Sequence, residues 1–190
     1  MDGARALPTR RTRLQLVSEA AAGDSAAFDL LVREHGPRVF RLALRMLGSR
    51  EEAEDIQQET FVRAHRKLRT FRGEAALGTW IYSIAAHLCL SRKRSSTWQR
   101  EVALEEQPSA VSNPASDPEQ VVLARESAAR VQQALGLLAA PDRLLILLKY
   151  VEGLSHGEIA RILGCSVLSS RSRLTRAKKL FRQCYEEVEG

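Results

Sequence analysis

Cysteine is scarce. The chain of 190 residues holds three, Cys89, Cys165 and Cys184, an odd number with no C-x-x-C pair. This argues against a disulfide framework and fits a reducing, cytoplasmic setting. The four histidines, His35, His65, His87 and His156, are scattered. His87 and Cys89 lie two apart, but no second ligand pair sits at zinc-site spacing, so neither a metal nor a cofactor is expected. Aromatics make up only 5% of the chain, and strand-like alternation is almost absent, which disfavours sandwiches and barrels. No apolar run approaches the length of a membrane helix, so no membrane insertion is expected. Arg10-Arg11 superficially suggests a twin-arginine export signal. Ser18, Glu19 and Asp24 interrupt the apolar segment such a signal needs, and residues 1–13 read as a disordered basic arm. A phosphate-binding glycine loop, a paired acid and base, and a nucleophile constellation are all missing, so no enzyme is expected.

Helical periodicity and positive charge, by contrast, are abundant. Hydrophobic residues are 44% of the chain, enough for packed cores, and alanine and leucine dominate them. The net charge of +6 favours an acidic partner, nucleic acid first. Asp24 caps a helix carrying Phe28, Leu30, Leu31 and Val32, and Gly36-Pro37 is expected to break or kink it. A further helix carries Val39, Phe40, Leu42, Leu44 and Leu47 and ends at Gly48. Ser49 and Glu52 form a capping box that opens a helix to about Leu68. A loop over 69–80 overlaps the start of another helix, 79–94, with a basic tail. Between Glu101 and Glu119 stand five acids and no lysine or arginine, with Pro108, Pro114 and Pro118 there, and apolar periodicity is lost. Asp117-Pro118 then restarts helix as cap and first helical residue. The predicted fold class is all-α: a larger helical domain over 14–97, an acidic flexible linker over 98–117 and a smaller helical domain over 118–190. There is no internal repeat.

The smaller domain contains a helix-turn-helix pattern. Ile159, Ile162 and Leu163 give a short helix its buried side, Gly164 ends it, and Ser166 caps a second helix. Val167, Ser170, Leu174, Ala177 and Phe181 fall on one inward face. Leu168, Ser169, Ser172, Thr175, Arg176 and Lys179 point away, flanked by Arg171 and Arg173. From Arg171 to Arg182 there are six basic residues and no acid. Arginine and lysine neutralise phosphates, and arginine pairs bidentately with guanine in the major groove.

The stretch "LLILLKYVEGLSHGEIARILGCSVLSSRSRLTRAKK" (144–179) resembles region 4 of a bacterial RNA polymerase sigma factor, and "AEDIQQETFVRAHRKLRTFRGEAALGTWIYSIAAHLCLSRKR" (53–94) resembles region 2. The chain is similar to the extracytoplasmic-function (ECF) group over about Asp24–Arg94 and Pro118–Arg182. The resemblance implies a factor that binds core polymerase, recognises −10 and −35 promoter elements and promotes DNA melting. It implies that Asp55, Gln58 and Glu59, which share one helix face, dock on the β′ coiled coil. Region 4 is expected on the β flap. Phe71, Arg72, Gly73 and Glu74 match the loop that captures a flipped −10 base, a step whose unstacking cost a stacking pocket repays. His87, Arg92 and Lys93 join them as −10 candidates, and Ser169, Arg171, Arg173 and Arg176 as −35 candidates. Trp80 is read as core. The resemblance also implies a separate anti-sigma protein and a closed free state that opens on polymerase. A helix-turn-helix regulator acting without core polymerase is the alternative, and the region 2 motifs argue against it.

The chain departs from the family pattern at four places. His87 stands where Asn is common, Ser91 where Asp is usual, Leu168 where Gly is common, and Ser170 where Val is common. Ser170 falls on the inward face, where a hydroxyl without a partner costs roughly 1–2 kcal/mol.

Overall fold

The computed structural model describes residues 10–73, 75–96 and 118–189, so residues 1–9, Glu74, residues 97–117 with the whole linker stretch 98–117, and Gly190 lie outside it. Eight α-helices are present among the described residues, and no strand. Helix α1 spans Arg10–Ala22. It begins inside the stretch read as a disordered arm: residues 10–13 are helical. Leu16, Val17, Ala20 and Ala21 recur at helical spacing and pack with Ala27, Leu31 and Leu68. Arg69 Nε donates to the Ala21 carbonyl at 3.2 Å, closing the end of α1.

Helix α2, Ser25–Leu47, begins as its sequence implies. Asp24 Oδ1 accepts from the Ala26 and Ala27 N–H groups at 2.9 and 3.1 Å. The expected break at Gly36-Pro37 does not occur; α2 runs through Pro37 to Gly48, whose φ of +83° ends it. An interior proline costs a helix about 3 kcal/mol. Burying Leu31, Val39, Leu42 and Met46 on one continuous stripe returns about 1.5–3 kcal/mol for each, and that sum prevails. Gly36 is itself buried, where a Cβ would lie 2.9 Å from the end of the flexible Gln57 side chain of the next helix.

Helix α3, Arg50–Lys67, is capped by Ser49 Oγ, which accepts from Glu52 N–H. A 3₁₀ turn over Leu68–Thr70 and a short loop lead to α4, Leu77–Ser96. The second half holds α5 (Pro118–Leu137), α6 (Ala140–Ile146), a π-turn over Leu147–Val151, α7 (His156–Leu163) and α8 (Val167–Glu189).

The two halves share one apolar core. Val39, Met46, Ile56 and Ile81 from the first belong to the same buried cluster as Leu144, Leu147, Ile159, Ile162 and Leu174 from the second. Helix α4 lies against α7, and α2 meets α6. Arg143, only 6% exposed, ties them together. Its Nη1 donates to the Met46 carbonyl at 2.7 Å, and its Nη2 to the Gly136 and Leu138 carbonyls at 2.6 and 3.3 Å. Removing the guanidinium leaves buried acceptors unpaired, each costing about 1–3 kcal/mol. We expect Arg143→Met to lower the unfolding free energy by roughly 2–3 kcal/mol in urea titration; an unchanged midpoint would show that these bonds contribute nothing net.

Candidate nucleic-acid interface

Helices α7 and α8 form the helix-turn-helix. Ser155 and Glu158 make a full capping box at the start of α7: Ser155 N–H donates to Glu158 Oε2 at 2.9 Å, and Glu158 N–H to Ser155 Oγ at 3.2 Å. Hydrogen bonds from Ser155, its hydroxyl first, hold the Glu158 carboxyl below the usual carboxylate range. Gly164, at φ +61°, ends α7 in the left-handed conformation that glycine adopts without penalty. Ser166 Oγ accepts from Ser169 N–H at 3.1 Å and opens α8.

Ser170, Leu174 and Ala177 are buried and Phe181 is half-buried, as the periodicity requires. Val167 departs from that inward face and is exposed, because it lies at the helix start beyond the packed partners. Arg171, Ser172, Arg173, Thr175 and Lys179 are exposed, and Leu168 is 77% exposed. Ser169 is half-buried. Arg176 is largely exposed, yet its Nη2 reaches Asp142 Oδ1 at 3.3 Å, so this candidate also fastens α8 to α6.

In the first half, Asp55, Gln58 and Glu59 lie along α3 beside Leu88, Ser91 and Arg92 of α4, lining one open cleft of about 520 Å³. Arg92 Nη1 stands 3.6 Å from Asp55 Oδ2. Glu59 pairs with Arg63 at 2.6 Å on the same helix face. Candidates assigned separately to polymerase and to DNA thus share one cleft. Phe71 is half-buried, its ring centroid 5.3 Å from that of Trp80, and both pack against the α1–α2 cluster. Trp80, read as core, is half-buried and packs against both apolar clusters. Arg72 and Gly73 are exposed beside it, Gly73 at φ +72°; Glu74 lies outside the described residues. His87 is exposed, and its Nδ1 lies 2.6 Å from the Ser83 carbonyl. A carbonyl only accepts, so Nδ1 donates in this bond and Nε2 is left facing away from it. Lys93 is half-buried.

Sequence reasoning missed the contacts between the halves. Tyr82, 2% exposed on α4, donates from its hydroxyl to Glu152 Oε2 at 2.8 Å. Arg38 donates to the same oxygen at 3.2 and 3.3 Å and stacks over the Tyr82 ring. Burial, reinforced by the Glu152 carboxylate, pushes the Tyr82 hydroxyl well above the usual phenol range. Thr79 Oγ1 donates to Glu158 at 3.3 Å. The π-turn sets Glu152 in place: its N–H bonds back to the Leu147 carbonyl at 3.0 Å, five residues earlier. Tyr82 and Glu152 are 70 residues apart in sequence, and no periodicity links them.

Two family models match this chain: Sigma-70 region 2 over residues 31–99, and Sigma-70, region 4 over residues 128–181. The chain is 35% identical over 179 residues to the RNA polymerase sigma-H factor of Pseudomonas aeruginosa, covering 90% of this chain and 92% of that one. It is 33% identical over 174 residues to the ECF RNA polymerase sigma factor SigW of Bacillus subtilis, covering 88% and 93%. The chain belongs to the ECF sigma factors. The solved structure of CnrH in complex with the cytosolic domain of CnrY matches at a TM-score of 0.68 and 26% identity, over 92% of this chain and 97% of that one. Among the described residues of this sigma factor, no helix is long and apolar enough to cross a membrane.

The serine inside region 4 is a local weakness of this sigma factor. Ser170 is fully buried and its hydroxyl has no hydrogen-bond partner. Removing the hydroxyl deletes an unpaired buried group and improves helix propensity. Ser170→Ala should raise unfolding free energy by about 1 kcal/mol, read as a higher melting temperature. A lower one would mean that the hydroxyl is satisfied in solution.

Proposed function

We propose that this sigma factor docks on the β′ coiled coil of core RNA polymerase through Asp55, Gln58 and Glu59. It then holds opened −10 DNA with the 71–74 loop, His87, Arg92 and Lys93, and reads the −35 duplex with Ser169, Arg171, Arg173 and Arg176 of α8. Region 4 rests on the β flap, and the acidic linker over 98–117 spans from the region 2 domain (14–97) to the region 4 domain (118–190). The protein acts in the cytoplasm. The observation that carries this reading is the shared cleft of α3 and α4, where Asp55 meets Arg92. An acidic and amide face suits a basic partner helix, and an arginine on its rim suits phosphate.

Run-off transcription with purified core polymerase over a randomised promoter library tests it. Initiation at a shared −35/−10 pair is the expected result. Substituting alanine at Asp55, Gln58 and Glu59 together should weaken core binding at least tenfold and leave the melting temperature within a few degrees. Core binding unchanged by that triple substitution would refute the assigned face. A chain that binds promoter DNA but never core would make it a regulator independent of polymerase.

A separate anti-sigma protein acts on the closed form. CnrH was solved bound to the cytosolic domain of CnrY, which supports a partner of that kind. The Tyr82–Glu152–Arg38 cluster favours the closed form of the free protein, and core polymerase separates the two halves. With donor and acceptor dyes on α3 and α8, transfer efficiency should fall when core is added. Tyr82→Phe with Glu152→Gln should lower it without core. A distance constant under all three conditions would count against opening.

A further inference from the structure

Leu168 is the most exposed large apolar side chain among the described residues, at 77%. It is the second residue of α8 and contributes little to the core that Ser170, Leu174 and Ala177 enter. The outward stripe it opens continues through Arg171, Ser172 and Thr175, all exposed. Seven residues of helix rise roughly 10 Å, about three base-pair steps. A recognition helix places its N-terminal residues on base edges. On this stripe the later positions offer hydrogen bonds or charge, and the first offers only a branched hydrocarbon.

The major groove holds one apolar group, the C5-methyl of thymine. A leucine over cytosine, adenine or guanine strips water from donors and acceptors and gives no hydrogen bond in return. Over thymine it covers a methyl group that water solvates poorly. We infer that Leu168 is a specificity-determining residue that packs on the methyl group of one thymine in the upstream promoter element. This rests on the reading of α8 as the −35 reader, and it commits that element to a thymine at the base facing the start of the helix.

Deoxyuridine tests the contact, since it differs from thymidine only by that methyl. Full-length sigma factor in complex with core polymerase is titrated with the promoter recovered from the library. Each upstream thymidine is replaced in turn by deoxyuridine. One position should weaken binding about fourfold, the loss of one buried methyl. Leu168→Ala should remove that difference at the same position, and Leu168→Met should keep most of it. Because the side chain is exposed, both variants should melt with the parent. If no thymidine responds, or if Leu168→Ala still distinguishes the two bases, the inference is wrong while −35 reading stands. If the library shows no upstream base preference at all, the −35 reading falls and takes the inference with it.

Discussion

Arg143 puts a permanent positive charge where two helices end. The last carbonyls of a helix have no partner within it and carry partial negative charge. Arg143 answers this shortage for α2 at Met46 and for α5 at Gly136 and Leu138. A guanidinium suits the place because its donors fan out in a rigid plane; a lysine would carry a point charge on a flexible stem. Much depends on this one anchor. It fixes α6, which brings Leu144 and Leu145 into the core. Its neighbour Asp142, also buried, takes the guanidinium of Arg176. The orientation of α8 is thereby tied to a contact that spans both halves of the molecule.

The cost of parting those halves is set by their chemistry. Glu152 has an almost buried carboxylate with donors from Tyr82 and Arg38. Separated, these groups recover hydrogen bonds to water, so the polar cluster adds a modest net preference for the closed form and also specifies how the halves meet. The apolar part is different, because exposing whatever surface of the common core lies between the halves costs free energy in proportion to area. A partner that needs the halves apart must bind the open form better by at least that amount. A partner that binds the two halves apart and a partner that prefers them together would pull in opposite directions. Both would act on one equilibrium.

Local signals were legible in the sequence and distant ones were not. Asp24, Ser49, Gly48, Ser166 and Gly164 marked helix ends because a cap is a matter of adjacent residues. The inward face of α8 could be read from its spacing. Pro37 does not break its helix, because its local cost is outweighed by a stripe of buried side chains that only the tertiary packing completes. Helix α1 was hidden by its arginines, although Leu16, Val17, Ala20 and Ala21 carried the period. The α3–α4 cleft was half legible: the spacing put Asp55, Gln58 and Glu59 on one face, but nothing in it brought Arg92 to Asp55. Arg143 and Glu152 gave no sign at all, since their partners lie far off in the chain.

Helix α8 shows how stability and recognition are divided between two faces of one element. Inward, Ser170 gives up apolar burial and leaves a hydroxyl unpaired, which weakens the fold. Outward, Leu168 exposes an apolar surface that contributes nothing to the fold. Folding alone would favour the opposite placement, with the hydrocarbon inside and the hydroxyl outside. A sequence that breaks a local rule twice within three residues, on the second helix of the helix-turn-helix, is not arranged for stability alone. A serine at 170 fills less of the buried volume than a branched hydrocarbon would, and the leucine at 168 leaves its hydrocarbon in solvent. Both residues leave the packing of α8 weaker than the reverse placement would make it.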